Sequence, residues 1–567
     1  MKILCRVFFA VSIIYFPSSL GLRAADASTP PSEWIDPATG HVIVRLSKEA
    51  GTASPYFHNN PYTPDGKKLV VVTPEGLSTV NLQTHAIDLV VPGYTLPMSQ
   101  SSAIEVSRKT NTVYYVSRQS GQILATNLDN HETRVVATPP SNELNFGGLN
   151  ADETMLVGAV TMADPSPVPP AATTPTETPT SPRAETPTNI RPGTPTNPTP
   201  GTPRGSGAPT SPRDQTPTNR GPGTPSTPFA ETPTNPGPGT PAVRFAATPT
   251  NLGPGTPTSP QPETPTATAP GTPASPGARG RRGGGNNASL PPPQQHFFSV
   301  NIKTGEIKTF ANPAPADSPG AYSLNHVQSS PTDPNLFLYA HEGTWSAVDR
   351  IWTLRNDGTG SKLMHVRTMP NEIAGHEFFG HDGKWVYYDL QTPQSSEFWL
   401  AGVNVETGER IRYPLLRSEW SVHYNVSWDG KVFSGDGGGP DSVANRNPGS
   451  NTPLNPPQNG QWMYLFTPTG ETTTIKVNGE DVKVGKFTTE KLADLSKHDY
   501  GTGQPTRVEP NGTFTPDDKW IVFRSNMEGA LHVYEVEIAK ATPDEKKRID
   551  AEWAAYYTAG GTLQEPK

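Results

Sequence analysis

The chain repeats one pattern of polar and apolar positions: a turn rich in Pro, Asp and Gly, followed by a strand in which apolar and polar residues alternate. YTPDGKKLVVVT at 62–73, FFGHDGKWVYYDL at 378–390 and FTPDDKWIVFRS at 514–525 show it well. Turn residues of this kind join two strands into a hairpin, so each unit predicts antiparallel strands. Almost no segment has the periodicity of an amphipathic helix, apart from residues 543–557.

The unit recurs seven times along the sequence, at 62–73, 106–117, 149–160, 329–340, 378–390, 426–437 and 514–525. Outside two long insertions, the starts of neighbouring units lie about 43 to 49 residues apart, which is close to the blade period of β-propellers. One such sheet cannot bury both of its faces, but seven packed radially can. The pattern therefore predicts an all-β, seven-bladed β-propeller. A pair of packed β-sheets is the alternative, and it does not explain the period.

Most of the proline lies in one block. The chain has 66 Pro in 567 residues, and segments such as TPTNRGPGTP at 216–225 recur between about 165 and 285. Proline removes backbone donors, and large apolar residues are too few here for a core. We therefore expect residues 163–292 to be a disordered insertion between blades three and four, with blades one to three at 28–162 and blades four to seven at 293–567.

The N-terminal residues 1–27 predict a secretory signal peptide. A basic start with Lys2 and Arg6 precedes an apolar run at 7–16 and small residues at 24–27. The run is too short to span a membrane, and no later stretch is long enough. We expect a secreted or periplasmic protein with no membrane association after cleavage, and a retained N-terminal anchor is the alternative.

Charge and cysteine content exclude several classes of function. Cys5 is the only cysteine and lies inside the predicted signal peptide, so the mature chain has no disulfide and no cysteine nucleophile. The net charge of −8 makes a nucleic-acid partner a poor hypothesis. An acidic ligand would need a local cationic pocket. The sequence does not predict an oligomeric state.

Polar residues recur just before the repeated strands, where loops of successive blades converge. A single His there is usually structural, but the polar residue type changes from blade to blade, which is more typical of a site. His376, His423 and the pair Glu509 and Asn511 occupy equivalent offsets. The full set of candidates is Tyr56, His58, His326, Gln328, His341, Arg350, His376, His423, Glu509 and Asn511.

The segment HEFFGH at 376–381 is not a zinc-protease motif. H-E-x-x-H places two His four residues apart on one face of a helix. His376 and His381 are five residues apart, and His381 belongs to a turn between strands, where we expect it to be exposed. The glycine run at 435–439 is followed by no helical pattern, so a phosphate site there is weakly supported.

With these residues assembled, the sequence resembles the oligogalacturonate lyase family, β-propeller enzymes that degrade pectin fragments. The most specific motifs are LNHVQSSPTDP at 324–334, HEGTWSAVDRIWTL at 341–354, MPNEIAGHEFF at 369–379 and SEWSVHYNVSWDG at 418–430. The resemblance implies β-elimination of 4-linked galacturonides, an acidic oligosaccharide substrate, and a bound divalent metal, typically Mn²⁺.

The resemblance also implies individual roles. His376 would be the catalytic base, Arg350 would stabilise substrate charge, and His423 would be a metal ligand. The residues predicted to contact the substrate are Tyr56, His58, His326, Gln328 and His341.

The metal motif departs from the family pattern. Well-understood members carry Q-x-x-H-x-H before the last strand, whereas Thr506, Glu509 and Asn511 stand at those places here. Glu509 and Asn511 are oxygen ligands that suit a hard cation such as Mn²⁺, Mg²⁺ or Ca²⁺. Two alternatives remain: a non-catalytic propeller that binds sugar or protein, and a hydrolase with a carboxylate pair drawn from Glu342, Glu377 and Glu509.

Overall fold

The computed structural model describes residues 29–95, 104–141, 144–162, 294–311, 321–450, 452–501 and 508–562. The described strands belong to a compact unit that comprises Met1–Val168 and Ser289–Lys567. A second unit, Pro169–Ala288, lies outside the described residues. The predicted signal peptide and the predicted disordered insertion also lie outside the described residues.

The first two sheets come from alternating apolar strands joined by short turns. The first consists of β3 (Lys68–Thr73), β4 (Gly76–Asn81) and β5 (Ile87–Pro92). The second consists of β6 (Ile104–Val106), β7 (Thr112–Val116), β8 (Ile123–Asn127) and β9 (Thr133–Ala137). Val70 and Val72 of one sheet pack against Ile104 and Val113 of the other.

The third sheet corrects the predicted place of the insertion. It contains β10 (Leu144–Leu149), β11 (Met155–Met162), β12 (Gln294–Asn301) and β13 (Ile307–Phe310). β11 pairs antiparallel with β12, from Met155 opposite Asn301 to Met162 opposite Gln294. Residues 163–293 therefore leave and rejoin the fold inside one sheet, and the prediction that they lie between two blades is wrong.

The strands of the next two sheets carry four of the ten predicted site residues. The fourth contains β14 (Ala321–Ser329), β15 (Leu336–Gly343), β16 (Ile351–Arg355) and β17 (Lys362–Leu363). An eight-stranded sheet follows, made of β18 (Ile373–Phe379), β19 (Trp385–Gln391), β20 (Phe398–Asn404), β21 (Arg410–Leu415), β22 (Tyr424–Val426), β23 (Phe433–Gly435), β24 (Trp462–Val477) and β25 (Glu480–Asp494). Short 3₁₀ turns lie at Arg417–Glu419 and Val443–Asn445.

The last sheet uses both ends of the described chain. It consists of β1 (Glu33–Ile35), β2 (His41–Arg45), β26 (Thr513–Phe514), β27 (Trp520–Ser525) and β28 (His532–Lys540). β2 pairs antiparallel with β28, with Ile43 opposite Val536. The sequence analysis placed residues 33–45 in the first three blades. They instead complete the last sheet.

One α-helix, α1 (Pro543–Thr558), follows β28, as the sequence predicts. Its N-cap is Thr542, whose hydroxyl accepts from the N–H of Glu545, while the Glu545 carboxylate accepts from the N–H of Thr542. This reciprocal arrangement satisfies two donors that the first turn would leave unpaired. Among the described residues, no helix has both the length and the apolar character needed to cross a membrane.

The core is divided into apolar clusters between successive groups of strands. Val157 and Phe297 pack against Leu324 between the third and fourth sheets. Val42 of the last sheet packs against Leu69 of the first, so the order of packing returns to its start. This closed order is that of a propeller architecture, in which each sheet buries both faces against neighbours.

The count of sheets differs from the prediction of seven separate blades. The described strands form six hydrogen-bonded sheets, and five of these contain four or more strands. Two groups of four strands are joined in the eight-stranded sheet by a parallel pair, in which Ile411 of β21 faces Lys483 of β25. The long hairpin β24–β25 makes this possible because it extends past its own group and covers the outer edge of β21, where Phe487 stacks on Tyr413 at 4.2 Å.

Candidate functional site

The segment Tyr56–His58, just before β3, brings the predicted histidines together. The Tyr56 ring lies 5.2 Å from that of His423 and 5.6 Å from that of His326, between ring centroids. The ring of His58 lies 5.5 Å from that of His326, and those of His376 and His423 lie 5.0 Å apart. Residues from the N-terminal region, β14, β18 and the segment before β22 therefore share one place.

Three of these site residues adopt the same unusual backbone conformation. His326, His376 and Asn511 have φ values of 47°, 50° and 53°, in the left-handed region that non-glycine residues rarely occupy. The pairing of β14 with β15 shifts register at His326, and the pairing of β18 with β19 shifts register at His376. Such shifts mark β-bulges. A bulge re-aims a side chain, and such strain is typical of functional positions. Of the residues predicted to occupy equivalent offsets, His376 and Asn511 therefore share this local geometry, whereas His423 and Glu509 do not.

A buried carboxylate holds the predicted metal ligands. Asp436, which is 0% exposed, accepts hydrogen bonds from the backbone N–H of His423 at 2.8 Å and from the backbone N–H of Asn511 at 3.2 Å. Its second oxygen also lies 2.8 Å from Nδ1 of His423. Because a carboxylate only accepts, Nδ1 carries the imidazole proton and Nε2 presents a lone pair. A carboxylate behind a histidine is a common support of metal-binding imidazoles.

The Nε2 atom of His423 faces the other predicted ligands. It lies 3.6 Å from Oε2 of Glu509 and accepts a hydrogen bond from the Tyr56 hydroxyl at 3.0 Å. The side-chain Oδ1 of Asn511 is buried with no hydrogen-bond partner among the described residues. One imidazole nitrogen and two oxygens suit a cation such as Mn²⁺. The described residues nevertheless contain no cluster of three His, Cys, Asp or Glu that could hold a metal ion.

Around Arg350 the site is cationic. The guanidinium, which is 3% exposed, donates through Nη2 to Oε1 of Glu342 at 3.0 Å and lies 4.0 Å from the ring centroid of Trp345. The Trp345 ring is in turn 5.2 Å from that of His376. His341 lies directly beside Arg350, to which its backbone N–H donates at 2.7 Å. Arg350 and His376 therefore both lie against the Trp345 ring, and their catalytic roles stay predictions.

Glu377 is a buried partner of His326 rather than a reacting carboxylate. It is 0% exposed, and its Oε1 lies 3.1 Å from Nδ1 of His326. Burial raises the pKa of Glu377, but the neighbouring His326 imidazole and the Arg350 guanidinium outweigh it and lower that pKa below its usual value. A fully enclosed, ionised carboxylate cannot protonate a leaving group, so the hydrolase hypothesis loses one of its three carboxylates.

The remaining predicted substrate contacts are less accessible than the sequence indicates. Gln328 is buried and donates to the backbone carbonyls of Glu377 at 2.7 Å and His326 at 3.3 Å, so both hydrogen bonds are internal. His341 is also buried, and burial together with Arg350 lowers its pKa. Their roles as substrate ligands stay predictions.

Tyr56 and His58 both keep their neutral forms at neutral pH. Enclosure and the carboxylates of Glu509 and Glu377 raise the pKa of Tyr56 well above its usual value, so its hydroxyl keeps the proton that it donates to His423. Burial lowers the pKa of His58 well below its usual value, and the neighbouring imidazoles of His326 and His423 lower it further.

Sequence reasoning missed three residues of the site, Asp436, Trp345 and Arg524, and misjudged the exposure of His381. Asp436 stands in the glycine run that suggested a weak phosphate site, and Trp345 stands unremarked in the HEGTW motif. Arg524 donates through Nε to the Glu509 carbonyl at 2.8 Å, and no motif pointed to it. His381 lies in a turn, as predicted, but its ring stacks on Trp428 at 4.2 Å and burial lowers its pKa to about 4, so the expectation that it is exposed was wrong.

Comparison with known proteins links the second half of the chain to one family. The family model described as oligogalacturonate lyase matches residues 292–542. A curated oligogalacturonate lyase of Dickeya dadantii (strain 3937) is 25% identical over 236 residues, which make up 41% of this chain and 53% of that protein. The chain therefore spans about half the length of the curated relatives it matches.

Two solved structures share the fold over most of the chain. One is an oligogalacturonate lyase from Vibrio parahaemolyticus, 16% identical with a TM-score of 0.53, covering 90% of this chain and 96% of that one. The other is an oligogalacturonate lyase in complex with manganese, 17% identical with a TM-score of 0.52 and the same coverage. At this identity the likeness shows the fold alone, an all-β propeller.

Proposed function

We propose that the protein, whose residues 292–542 match the family model of oligogalacturonate lyase, is a lyase that cleaves oligogalacturonides by β-elimination. The observation that carries the proposal is the convergence of a strained, partly exposed imidazole at His376 with the guanidinium of Arg350 and the fixed imidazole of His423. These residues belong to separate motifs of the sequence, and the fold brings the motifs close together.

The reaction removes the proton on C5 of a uronate unit and expels the oxygen on C4 of the same unit, leaving a 4,5-unsaturated uronide. His376 is our candidate to take the C5 proton, because its side chain is partly exposed whereas those of His423 and His326 are buried. Arg350 supplies fixed positive charge for the uronate carboxylate, whose negative charge grows as the proton leaves.

A divalent cation would be held by His423 Nε2, the Glu509 carboxylate and the Asn511 side-chain oxygen. When bound, a cation such as Mn²⁺ supplies positive charge that makes C5 next to the uronate carboxylate more acidic. The buried, unpartnered Oδ1 of Asn511 and the Asp436 carboxylate behind His423 support this assignment. The Tyr56 hydroxyl, which donates to His423 Nε2, would have to turn away to admit the ion.

Three finer points belong to the same proposal. The eight-stranded sheet is two blades joined edge to edge, β18–β21 and β22–β25, which brings the number of blades to seven. The mature protein is secreted or periplasmic. The substrate is an acidic oligosaccharide, in keeping with the Arg350, His341 and His376 side of the site.

The test is an absorbance assay on digalacturonate and trigalacturonate, with and without added Mn²⁺. The proposal expects the ultraviolet absorbance of a 4,5-unsaturated uronide to rise, and chelation to stop the rise. No absorbance change on any uronide in the presence of metal would overturn the enzyme and leave the binding propeller as the better hypothesis. Titration of the same oligomers by calorimetry would then show whether the site binds them without cleaving them.

A further inference from the structure

Trp345 is an exposed aromatic ring at the rim of the site. Its side chain lies in the loop between β15 and β16 and is 37% exposed, whereas the other large side chains close to the site, Phe57 and Phe378, are almost fully buried. The exposed part of an indole beside a guanidinium and an imidazole is available for stacking with a ligand. Its position therefore points to a ligand.

The loop that carries Trp345 is rigidly held by one arginine. Arg367 donates through Nε to Oδ1 of Asp349 at 2.9 Å, through Nη1 to the carbonyl of Ser346 at 2.6 Å and through Nη2 to the carbonyl of Ala347 at 2.6 Å. Thr344 also accepts from the backbone N–H of Ala347 at 2.8 Å. A loop with this many bonds presents its side chains in one orientation, which lowers the entropy cost of binding.

The indole is also seated against β18. A Cβ atom at Gly375 would lie 2.4 Å from Cζ3 of Trp345 and 3.3 Å from Nε of Arg350, so only glycine leaves room for the two side chains. The Arg350 guanidinium covers one face of the ring at 4.0 Å. With Arg350 on one face, Gly375 against Cζ3 and the His376 ring 5.2 Å away, 37% of the Trp345 side chain still remains exposed.

We propose that Trp345 is a stacking platform for one pyranose ring of the substrate, the unit next to the one that Arg350 and His376 hold. Pyranose rings have an apolar C–H face that packs on aromatic rings, while the uronate carboxylate needs a cationic partner such as the Arg350 guanidinium, which lies against the same indole. Val366 and Met369, 50% and 39% exposed, lie on the segment whose Arg367 binds the Trp345 loop. This inference rests on the proposed function and names a subsite of that same site.

The test compares affinities in the His376→Ala background, which binds without turnover. Dissociation constants for galacturonate and trigalacturonate are measured by ligand-observed NMR for the parent, Trp345→Ala and Trp345→Phe. Tyr557→Ala, which truncates an exposed aromatic residue on α1, serves as the control. We expect Trp345→Ala to weaken trigalacturonate binding by about tenfold, to change galacturonate binding by less than about twofold, and Trp345→Phe to recover most of the loss.

Each other outcome overturns part of the proposal. Equal weakening of both ligands by Trp345→Ala would mean that the indole only positions Arg350, and the platform would be rejected. Trigalacturonate affinity that is unchanged by Trp345→Ala, or that falls as much in Tyr557→Ala, would reject it as well. If the His376→Ala parent binds no uronide at all, the proposed function itself fails. That result differs from a failure of the platform, because binding is then absent while Trp345 is still intact.

Discussion

The two sides of the site are built in different ways. On the Asp436 side, a single fully buried carboxylate binds two backbone N–H groups and one imidazole, so His423 and Asn511 are fixed from behind. On the Arg350 side, the guanidinium is held by the partly exposed Glu342 and by an aromatic face. The first side is suited to hold an ion in an exact geometry, and the second to receive a flexible, charged sugar. Substitutions that separate these roles test the comparison directly.

The largest effect is expected at His376, which belongs to the receiving side. His376→Ala should lower kcat by about 10²–10⁴-fold, because it removes the proton acceptor. KM for trigalacturonate should change little, and the melting temperature should match that of the parent. Retention of more than a tenth of the parent's kcat would show that another group takes the proton.

Asp436→Asn should damage the holding side. The variant keeps the size of the side chain but loses the charge that orients His423, and affinity for Mn²⁺ should fall by about 10–100-fold. Calorimetric titration of Mn²⁺ measures this loss, and circular dichroism checks the fold. Equal Mn²⁺ affinity in parent and variant would remove His423 from the metal site.

A third prediction concerns Glu372, which binds Thr368. Thr368 follows Arg367, the residue that holds the Trp345 loop of the receiving side. Burial raises the pKa of Glu372, but hydrogen bonds from His365 and Thr368 outweigh it and lower that pKa to about 2. The ionised carboxylate therefore stabilises the fold above pH 4.5, and this contribution is lost as the pH falls from about 4.5 towards 2.

Glu372→Gln should accordingly cost about 1–3 kcal/mol at neutral pH, because it weakens the bonds that Glu372 accepts from Thr368. Urea unfolding at several pH values should show the gap between parent and variant narrowing below pH 4.5. A gap that stays constant down to pH 2.5 would contradict the assignment.

The smallest effect is expected at Glu342, the partly exposed partner of Arg350. Its side chain is 29% exposed, so the ion pair is screened by water, and Glu342→Gln should change kcat/KM by less than about fivefold, or about 1 kcal/mol. Steady-state kinetics on trigalacturonate measure it. A loss as large as that of Asp436→Asn would erase the distinction between the two sides.

The fold could be predicted from the sequence because strand alternation and turn residues are local signals. The period of the units indicates how the sheets follow one another, and the C-terminal helix is confirmed. Hydrogen-bonded pairing between distant segments leaves no such signal. The sequence therefore did not predict that β11 and β12 pair across the insertion, that β2 pairs with β28, or that β24–β25 joins two groups of strands.

The site shows the same division between local and distant information. His326, His376 and Asn511 were found because each stands just before a repeated strand, and they share a left-handed φ. Asp436 contacts His423 and Asn511, and Trp345 contacts Arg350 and His376. The sequence repeat gives no sign of these contacts. Burial could not be read from the sequence either, and it is burial that gives Gln328 and Glu377 internal partners.

The pairing of β2 with β28 also determines when the protein can finish folding. Residue 41 leaves the ribosome long before residue 540, so β2 has no partner on its inner edge until almost the whole chain has been made. Contacts this distant in sequence form slowly, and an unpaired strand edge is prone to associate with other chains. A chain that stops before β28 would therefore leave β2 without this partner and be prone to aggregate. A circular permutant that joins β28 to β2 through a short linker and opens a surface turn elsewhere should fold faster than the natural order.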